Sequence, residues 1–356
     1  MLSADLIQSI KMILVTFVAS IIIVQIMKKV AHHIGAIDVP RNDEGNRHIH
    51  KRPVPKLGAV GIFLAFLFGY MLYGGHSIKM NAILISSFVI ILTGIVDDIS
   101  DLRASRQLLA QVIAACIIVF YGDICLTDIT FFGVTINFGI FKEIVTILFI
   151  IGCINIINLT DGLDGLSGGV TSIFYLTTAI ICYYQGRLGS MEMTITLLML
   201  GATLGFLVHN FYPAKIFAGQ CSMFMGFMIS IICLLGFKGT ALTSLFIPIC
   251  ILGLPILDTL FAIIRRLLKK QPIFSADKAH FHHQLLGMNF SHRNTVLIIY
   301  GINILFALTT IFYVLGDSSL ALIIFIILSI FLIWFVLYTN IITDKKPKLI
   351  EKIRKK

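Results

Sequence analysis

The chain has 356 residues, 58% of them hydrophobic and only 13% charged, with a mean hydropathy of +0.96. A soluble globular domain carries about 25% charged residues, so the composition excludes one and points to an all-α polytopic membrane protein. The net charge of +10 does not mark a nucleic-acid binder, because Lys and Arg are dispersed over membrane-adjacent loops without an aromatic-lined soluble domain to organise them.

Apolar runs long enough to cross about 30 Å of hydrocarbon recur along the chain. They predict eleven transmembrane helices, at roughly 10–28, 57–73, 81–96, 107–121, 141–157, 169–185, 191–210, 222–237, 241–264, 294–315 and 319–342. No charged leader, short apolar core and small-residue cleavage site mark the start, so the first span is expected to stay as an anchor. Of the 28 Lys and Arg residues, all but Lys11, Lys79, Lys142, Arg187 and Lys238 fall in segments 28–56, 97–107, 158–168, 211–221, 265–293 and 343–356. The positive-inside rule then puts those segments in the cytoplasm, the N-terminus outside and the C-terminus inside. The expected organisation is a single integral-membrane domain over 1–343 and a basic tail over 344–356 whose ordinary role is contact with an anionic leaflet.

Between the fourth and fifth spans, Ile129–Phe132 and Val134–Phe138 around Gly133 read as a small external β-hairpin. The seven cysteines (Cys116, Cys125, Cys153, Cys182, Cys221, Cys233, Cys250) form no CxxC pair and lie in or beside apolar runs, so they read as small buried thiols.

The acids Asp97, Asp98, Asp101, Asp161 and Asp164 all fall on the predicted cytoplasmic side, although they played no part in assigning it. If the third helix persists past residue 100, Asp101 lies one turn from Asp97 and Asp98 and the three share a face. Packed carboxylates repel and call for a cation. Mg²⁺ suits them, since it takes oxygen ligands and bridges one or two carboxylates to phosphates. Acids solvated at a helix end beside Arg103 and Arg106 are the plainer alternative.

The stretch Asn155–Gly168 is the most specific. Asn155, Asn158, Asp161 and Asp164 recur every third residue, which on a straight α-helix spreads them over about half the circumference. They converge only if the helix breaks, and Gly162 and Gly165 permit that. A polar cluster for a cation and phosphates is one reading, and a glycine-rich turn with capping Asn and Asp is the other.

Three further segments are cationic. Loop 265–293 holds Arg265, Arg266, Lys269, Lys270 and the imidazoles His280, His282 and His283, which fit anion recognition better than a metal site because no Cys or Glu lies near. Loop 41–58, ending in Pro53-Val54-Pro55-Lys56-Leu57-Gly58, lines a phosphate path or only sets topology. The stretch Asn210–Phe227, with Lys215 and Gln220, reads by itself as a polar turn.

Together these motifs resemble the polyprenyl-phosphate N-acetylhexosamine-1-phosphate transferases, the glycosyltransferase family 4 type that starts teichoic acid, O-antigen and related glycans. The resemblance covers about residues 36 to 290. It is carried by Asp97-Asp98-x-x-Asp101, by Asn155-x-x-Asn158-Leu-x-Asp161-Gly-Leu-Asp164-Gly-Leu, by Asn210 with Pro213-Ala214-Lys215-Ile216-Phe217, and by His280-x-His282-His283. The related phospho-MurNAc-pentapeptide translocases usually have Lys in the place of Asp101, so Asp101 and the histidines point to the N-acetylhexosamine branch. In one place the chain departs from the pattern. The family normally reads Gly-Asp-x-Gly-Ser after Pro-Ala-Lys-Ile-Phe, with an aspartate that looks like a metal ligand. Here Gly219-Gln220-Cys221-Ser222 has Gln in that place and one residue fewer.

The resemblance implies transfer of N-acetylhexosamine-1-phosphate, GlcNAc-1-phosphate foremost, from a UDP-sugar to undecaprenyl or another polyprenyl phosphate, with release of UMP. It implies Mg²⁺, with Mn²⁺ as the alternative, a multi-pass protein of the plasma membrane with its site facing the cytoplasm, and UDP-N-acetylhexosamine, polyprenyl phosphate and the bilayer as partners; it leaves the oligomeric state open, a homodimer among the alternatives. Asp97, Asp98, Asp161 and Asp164 are the catalytic candidates, and Asp98, Asp164 and Gln220 the metal candidates. Asn155, Asn158, Asp101, Lys56, Asn210, Lys215, Arg265, His280, His282 and His283 are the substrate-binding candidates. Two rivals stand beside this: a catalytically impaired family member serving as scaffold or lipid-binding protein, for which Gln220 is the support, and a transporter, which more often places its acids mid-span.

Overall fold

The computed structural model describes residues 4–39, 53–131, 134–236, 252–268, 280–316 and 318–338. Most of loop 41–58, the first part of the predicted ninth span, Lys269, Lys270 and the tail 344–356 lie outside them. Contacts divide the chain into two compact units, 1–245 and 246–356.

The first unit opens with α1 (Ala4–Ile34), whose 31 residues at about 1.5 Å each exceed the thickness of a bilayer. Ile7, Ile10, Leu14, Val18, Ile22 and Ile26 along it are exposed, as a lipid-facing surface is. The buried stripe is Met12, Thr16, Ser20 and Val24, one residue every four. Small residues on this seam admit close approach, the usual packing device where lipid is as apolar as the side chains. After α1, strands β1 (Ile37–Asp38) and β2 (Val54–Pro55) pair antiparallel, and α2 (Gly58–Tyr73) follows. On α2 a Cβ at Gly69 would lie 2.3 Å from Thr16 Cγ2. On α7 (Met191–Asn210) one at Gly201 would lie 2.1 Å from Thr16 Oγ1. Ser20 Oγ also donates to the Ala202 carbonyl at 2.6 Å, binding α1 to α7.

Helix α3 (Ile78–Ser100) is capped by Ser77, whose side chain accepts from the Met80 N–H at 3.1 Å. It ends at Ser100 because Asp101 turns left-handed, with φ 46°. Helix α4 (Ala104–Cys116) runs into a π-helical turn, Ile117–Tyr121, before leaving the expected span. The expected hairpin is present as β3 (Asp128–Phe131) and β4 (Val134–Asn137), paired antiparallel with Phe131 opposite Val134. Helices α5 (Lys142–Thr160), α6 (Leu166–Tyr184) and α8 (Met223–Gly236) complete the unit.

The second unit contains α9 (Gly253–Leu268), the short α10 (Phe281–Gly287), α11 (His292–Leu315) and α12 (Ser318–Tyr338). Ser291 caps α11, accepting from the Asn294 N–H at 3.2 Å. Among the described residues seven helices are long and apolar enough to cross a membrane, and three shorter apolar helices accompany them. The chain is an all-α, multi-pass membrane protein.

Candidate active site

Three chain segments of the first unit meet where α3 ends. The expectation that α3 persists through Asp101 is corrected. Asp97 and Asp98 are buried on its last turn, whereas Asp101 is an exposed cap residue whose N–H donates to the Asp97 carbonyl at 3.0 Å. The three acids do not share a face.

Asp98 is the best-anchored carboxylate. Its two oxygens accept from the Gln220 backbone N–H at 3.2 and 3.1 Å, and Lys56 Nζ lies 3.7 Å from Oδ1. The segment that brings Gln220 there needs two glycines. Gly94 on α3 leaves room for the Cys221 backbone, since a Cβ there would fall 2.8 Å from Cys221 N. Gly219 has φ +72°, and a Cβ on it would fall 2.3 Å from Asp98 Oδ2. The same segment is stitched to the start of α2: Phe217 N–H donates to Pro55 O at 2.8 Å and Gly58 N–H to Phe217 O at 2.7 Å. That brings Lys56 to Asp98 although 42 residues separate them in sequence. Asp97 has its own partners, accepting from the Leu102 N–H at 2.5 Å and from Gln107 Nε2 at 2.8 Å.

The Asn155–Gly168 segment breaks as the glycines permit. Helix α5 ends at Thr160, and Gly165, at φ +79°, starts α6. The four polar side chains then diverge in partner. Asn155 turns to α4, donating to Gln111 Oε1 at 2.8 Å. Asn158 Oδ1 accepts from Ser222 Oγ at 2.9 Å, which ties it to the Gln220 segment. Asp161 Oδ1 accepts from Ser167 Oγ at 2.5 Å. Asp164, buried, accepts from the Ala214 N–H at 2.9 Å. Asn210 joins the same two loops, accepting from Gly165 N–H at 3.0 Å and donating to Ile216 O at 2.9 Å. Asp161 lies within electrostatic reach of both Asp98 and Asp164, so the two acidic motifs form one charged cluster. Burial pushes the Asp161 carboxyl up to about 6; the Ser167 hydroxyl works against that and Asp164 adds to it. Lys215 belongs to the linking loop but its side chain is exposed.

The second unit holds the histidines. His280 and His282 are buried, with parallel rings 5.7 Å apart, and His283 lies 4.3 Å from His282. Burial, with the neighbouring imidazoles, holds His282 well below the usual imidazole range, so it is neutral. Arg265 and Arg266, on the last turn of α9, are buried too. Gln107, Ser167 and Asp258 hold Asp97, Asp161 and His280 respectively, and none was singled out from sequence. Only Asp258 carried a signal, as an acid inside an apolar run.

Among the described residues no three His, Cys, Asp or Glu side chains converge as a ready metal cage. Mg²⁺ does not require one, because it usually keeps waters and takes one or two carboxylates with substrate phosphates. The Gln220 side-chain oxygen is buried and accepts no hydrogen bond among the described residues, which is the kind of donor a hard cation takes. The residues present therefore fit an oxygen-seeking divalent cation.

Residues 80–237 match the model of glycosyl transferase family 4. Over 352 residues the chain is 38% identical to a probable undecaprenyl-phosphate N-acetylglucosaminyl 1-phosphate transferase of Bacillus subtilis (strain 168), covering 98% of this chain and 97% of that one. It is 29% identical over 330 residues to a decaprenyl-phosphate N-acetylglucosaminephosphotransferase of Mycobacterium tuberculosis (strain ATCC 25618 / H37Rv), covering 82% and 80%. An undecaprenyl-phosphate alpha-N-acetylglucosaminyl 1-phosphate transferase of Haemophilus influenzae (strain ATCC 51907 / DSM 11121 / KW20 / Rd) is 29% identical over 300 residues, covering 81% and 82%. With its acids gathered from two distant motifs and its likeness running nearly end to end, the chain belongs to glycosyl transferase family 4.

Proposed function

We propose that the chain transfers N-acetylglucosamine 1-phosphate from a UDP-sugar to undecaprenyl or a related polyprenyl phosphate, at the cytoplasmic face of the plasma membrane. The observation that carries this is the joining of Asp97, Asp98, Asp161 and Asp164 into one cluster at a helix end, in a chain similar over 98% of its length to such a transferase. A lipid acceptor stays in the bilayer and a nucleotide stays in water, so a site at helix ends serves both. The positive-inside distribution supports the cytoplasmic side.

An oxygen of the lipid phosphate attacks the β-phosphorus of the donor. The bond from that phosphorus to the bridging oxygen breaks, and UMP leaves with the electron pair. Two anions must meet, so neutralisation and alignment dominate the barrier. Asp98, Asp164 and Gln220 would hold Mg²⁺, or Mn²⁺ in its place, which when bound neutralises the diphosphate. Lys56 holds Asp98 in place and supplies a local positive charge. Asp97 has both oxygens occupied by Leu102 and Gln107, which supports fixing the α3–α4 turn rather than removing a proton. Asn158 and Asp161 line the nucleotide side.

A UMP-release assay on purified protein with Mg²⁺, UDP-GlcNAc and undecaprenyl phosphate tests the reading. UMP should appear only when all three are present. A second reading, a catalytically impaired scaffold, is favoured by the neutral amide of Gln220. No release from the parent together with release from Gln220→Asp would establish that second reading and overturn the first.

A further inference from the structure

Asp258 lies on α9, within an apolar stretch, where a carboxylate is costly unless it is satisfied. It is satisfied by two consecutive residues at the start of α10. Its Oδ2 stands 3.1 Å from His280 Nδ1, and its Oδ1 accepts from the Phe281 backbone N–H at 2.8 Å. One carboxylate thus grips both the ring and the following peptide of the histidine motif. His280 is itself the N-cap residue of α10, with φ −63° and ψ 157°, so its backbone direction is set by the helix and its ring by Asp258. Parallel stacking at 5.7 Å on the buried ring of His282 leaves little freedom to swing.

A carboxylate only accepts hydrogen bonds, so the ring nitrogen facing it must carry the hydrogen. Nδ1–H is then fixed, and Nε2 is the ring nitrogen away from the carboxylate. The same contact survives when Nε2 takes up a proton, so the ring keeps its orientation as Nε2 passes from acceptor to N–H donor. A phosphate oxygen requires such a donor.

We propose that Asp258 is a positioning residue, which fixes Nδ1–H of His280 and favours a second proton at Nε2, so that Nε2–H serves as a charged donor to a phosphate group. The ligand half of this rests on the transferase reading above; the tautomer half does not. Nitrogen-15 NMR of histidine-labelled full-length protein in nanodiscs, assigned with His280→Gln, tests the tautomer half without any turnover. The parent should show the neutral His280 ring protonated at Nδ1 and bare at Nε2. Asp258→Asn keeps an acceptor for the Phe281 N–H but turns an NH₂ toward the ring, so the tautomer should invert. A parent ring protonated at Nε2 alone, or a ring unchanged by Asp258→Asn, overturns the proposal.

The ligand half is read from kinetics. Asp258→Asn removes the carboxylate that favours the doubly protonated ring, and with it the charge on the Nε2–H donor, so KM for the UDP-sugar should rise about tenfold. In a His280→Ala background it should cost nothing further. An equal additional loss there would show that Asp258 acts through something other than His280. A parent that releases no UMP while its ring shows the expected tautomer would sink the transferase reading and leave the positioning contact standing.

Discussion

The acid cluster of the first unit and the histidine cluster of the second solve opposite problems with different means. Three of the four acids take a backbone donor: Leu102 N–H on Asp97, Gln220 N–H on Asp98 and Ala214 N–H on Asp164, while Asp161 takes the Ser167 hydroxyl. Their positions follow from the shape of loops, and those loops are tied to one another through Asn210, Phe217 and Gly58. In the histidine motif, His280 is held by a side chain, Asp258, reaching across from another helix. Like charges gathered together need fixed dipoles that no rotamer change can withdraw. An imidazole needs only one partner to choose its tautomer.

That contrast can be broken or sharpened by substitution. The largest effect is expected from Asp98→Asn, which keeps the shape but removes the charge. UMP release should fall about 10²–10³-fold, as when one preorganised electrostatic group is lost, with the melting temperature in detergent little changed. A variant that keeps near-parental turnover would show that the cluster does not run on charge at Asp98. Next comes Asn210→Ala, which deletes no charge but frees both loops. Losing its bonds to Gly165 and Ile216 should cost about 1–3 kcal/mol by thermal or denaturant unfolding, and release should fall with it. Unchanged stability would mean that the loops hold themselves.

The third effect is one of pH. Burial raises the Asp161 carboxyl to about 6 in the folded chain, above its unfolded value, so the folded state binds that proton more tightly. The stability linked to it is fully present below the unfolded value and is lost as pH rises through about 6. A divalent cation held near Asp161 competes with the proton. The Mg²⁺ concentration for half-maximal release should therefore rise about tenfold for each pH unit below the Asp161 value. A flat requirement across that range would place the cation away from Asp161. The smallest effect is expected from Gln220→Asp. A charged ligand in place of an amide should lower the half-saturating Mg²⁺ about threefold to tenfold, and no change would remove Gln220 from the cation's surroundings.

The helices were legible because apolar runs report directly on burial in lipid, and the hairpin because β-rich pieces flank a glycine. The charged cluster was legible by topology alone, since Asp97, Asp98, Asp161 and Asp164 sorted to one side before any contact was known. Partners were not. Asn155 looked like a member of the cluster by its spacing, yet it bonds to Gln111, and nothing in the order of residues says which helix stands opposite. Gln107 and Ser167 are ordinary polar residues until a carboxylate is folded against them. The left-handed turn at Asp101 was hidden for a similar reason: a helix end depends on where the next helix must begin, and α4 starts only three residues later.

Gly219 carries a consequence for how this chain can change over generations. Its backbone takes a conformation that side chains resist, and any Cβ would strike Asp98. Neighbouring positions can exchange one chemistry for another, and Gln220 exposes only a backbone N–H to Asp98. Position 219 has no such latitude. Drift there would displace the carboxylate before it altered any charge, so the smallest residue in the loop sets the narrowest limit on the site's divergence.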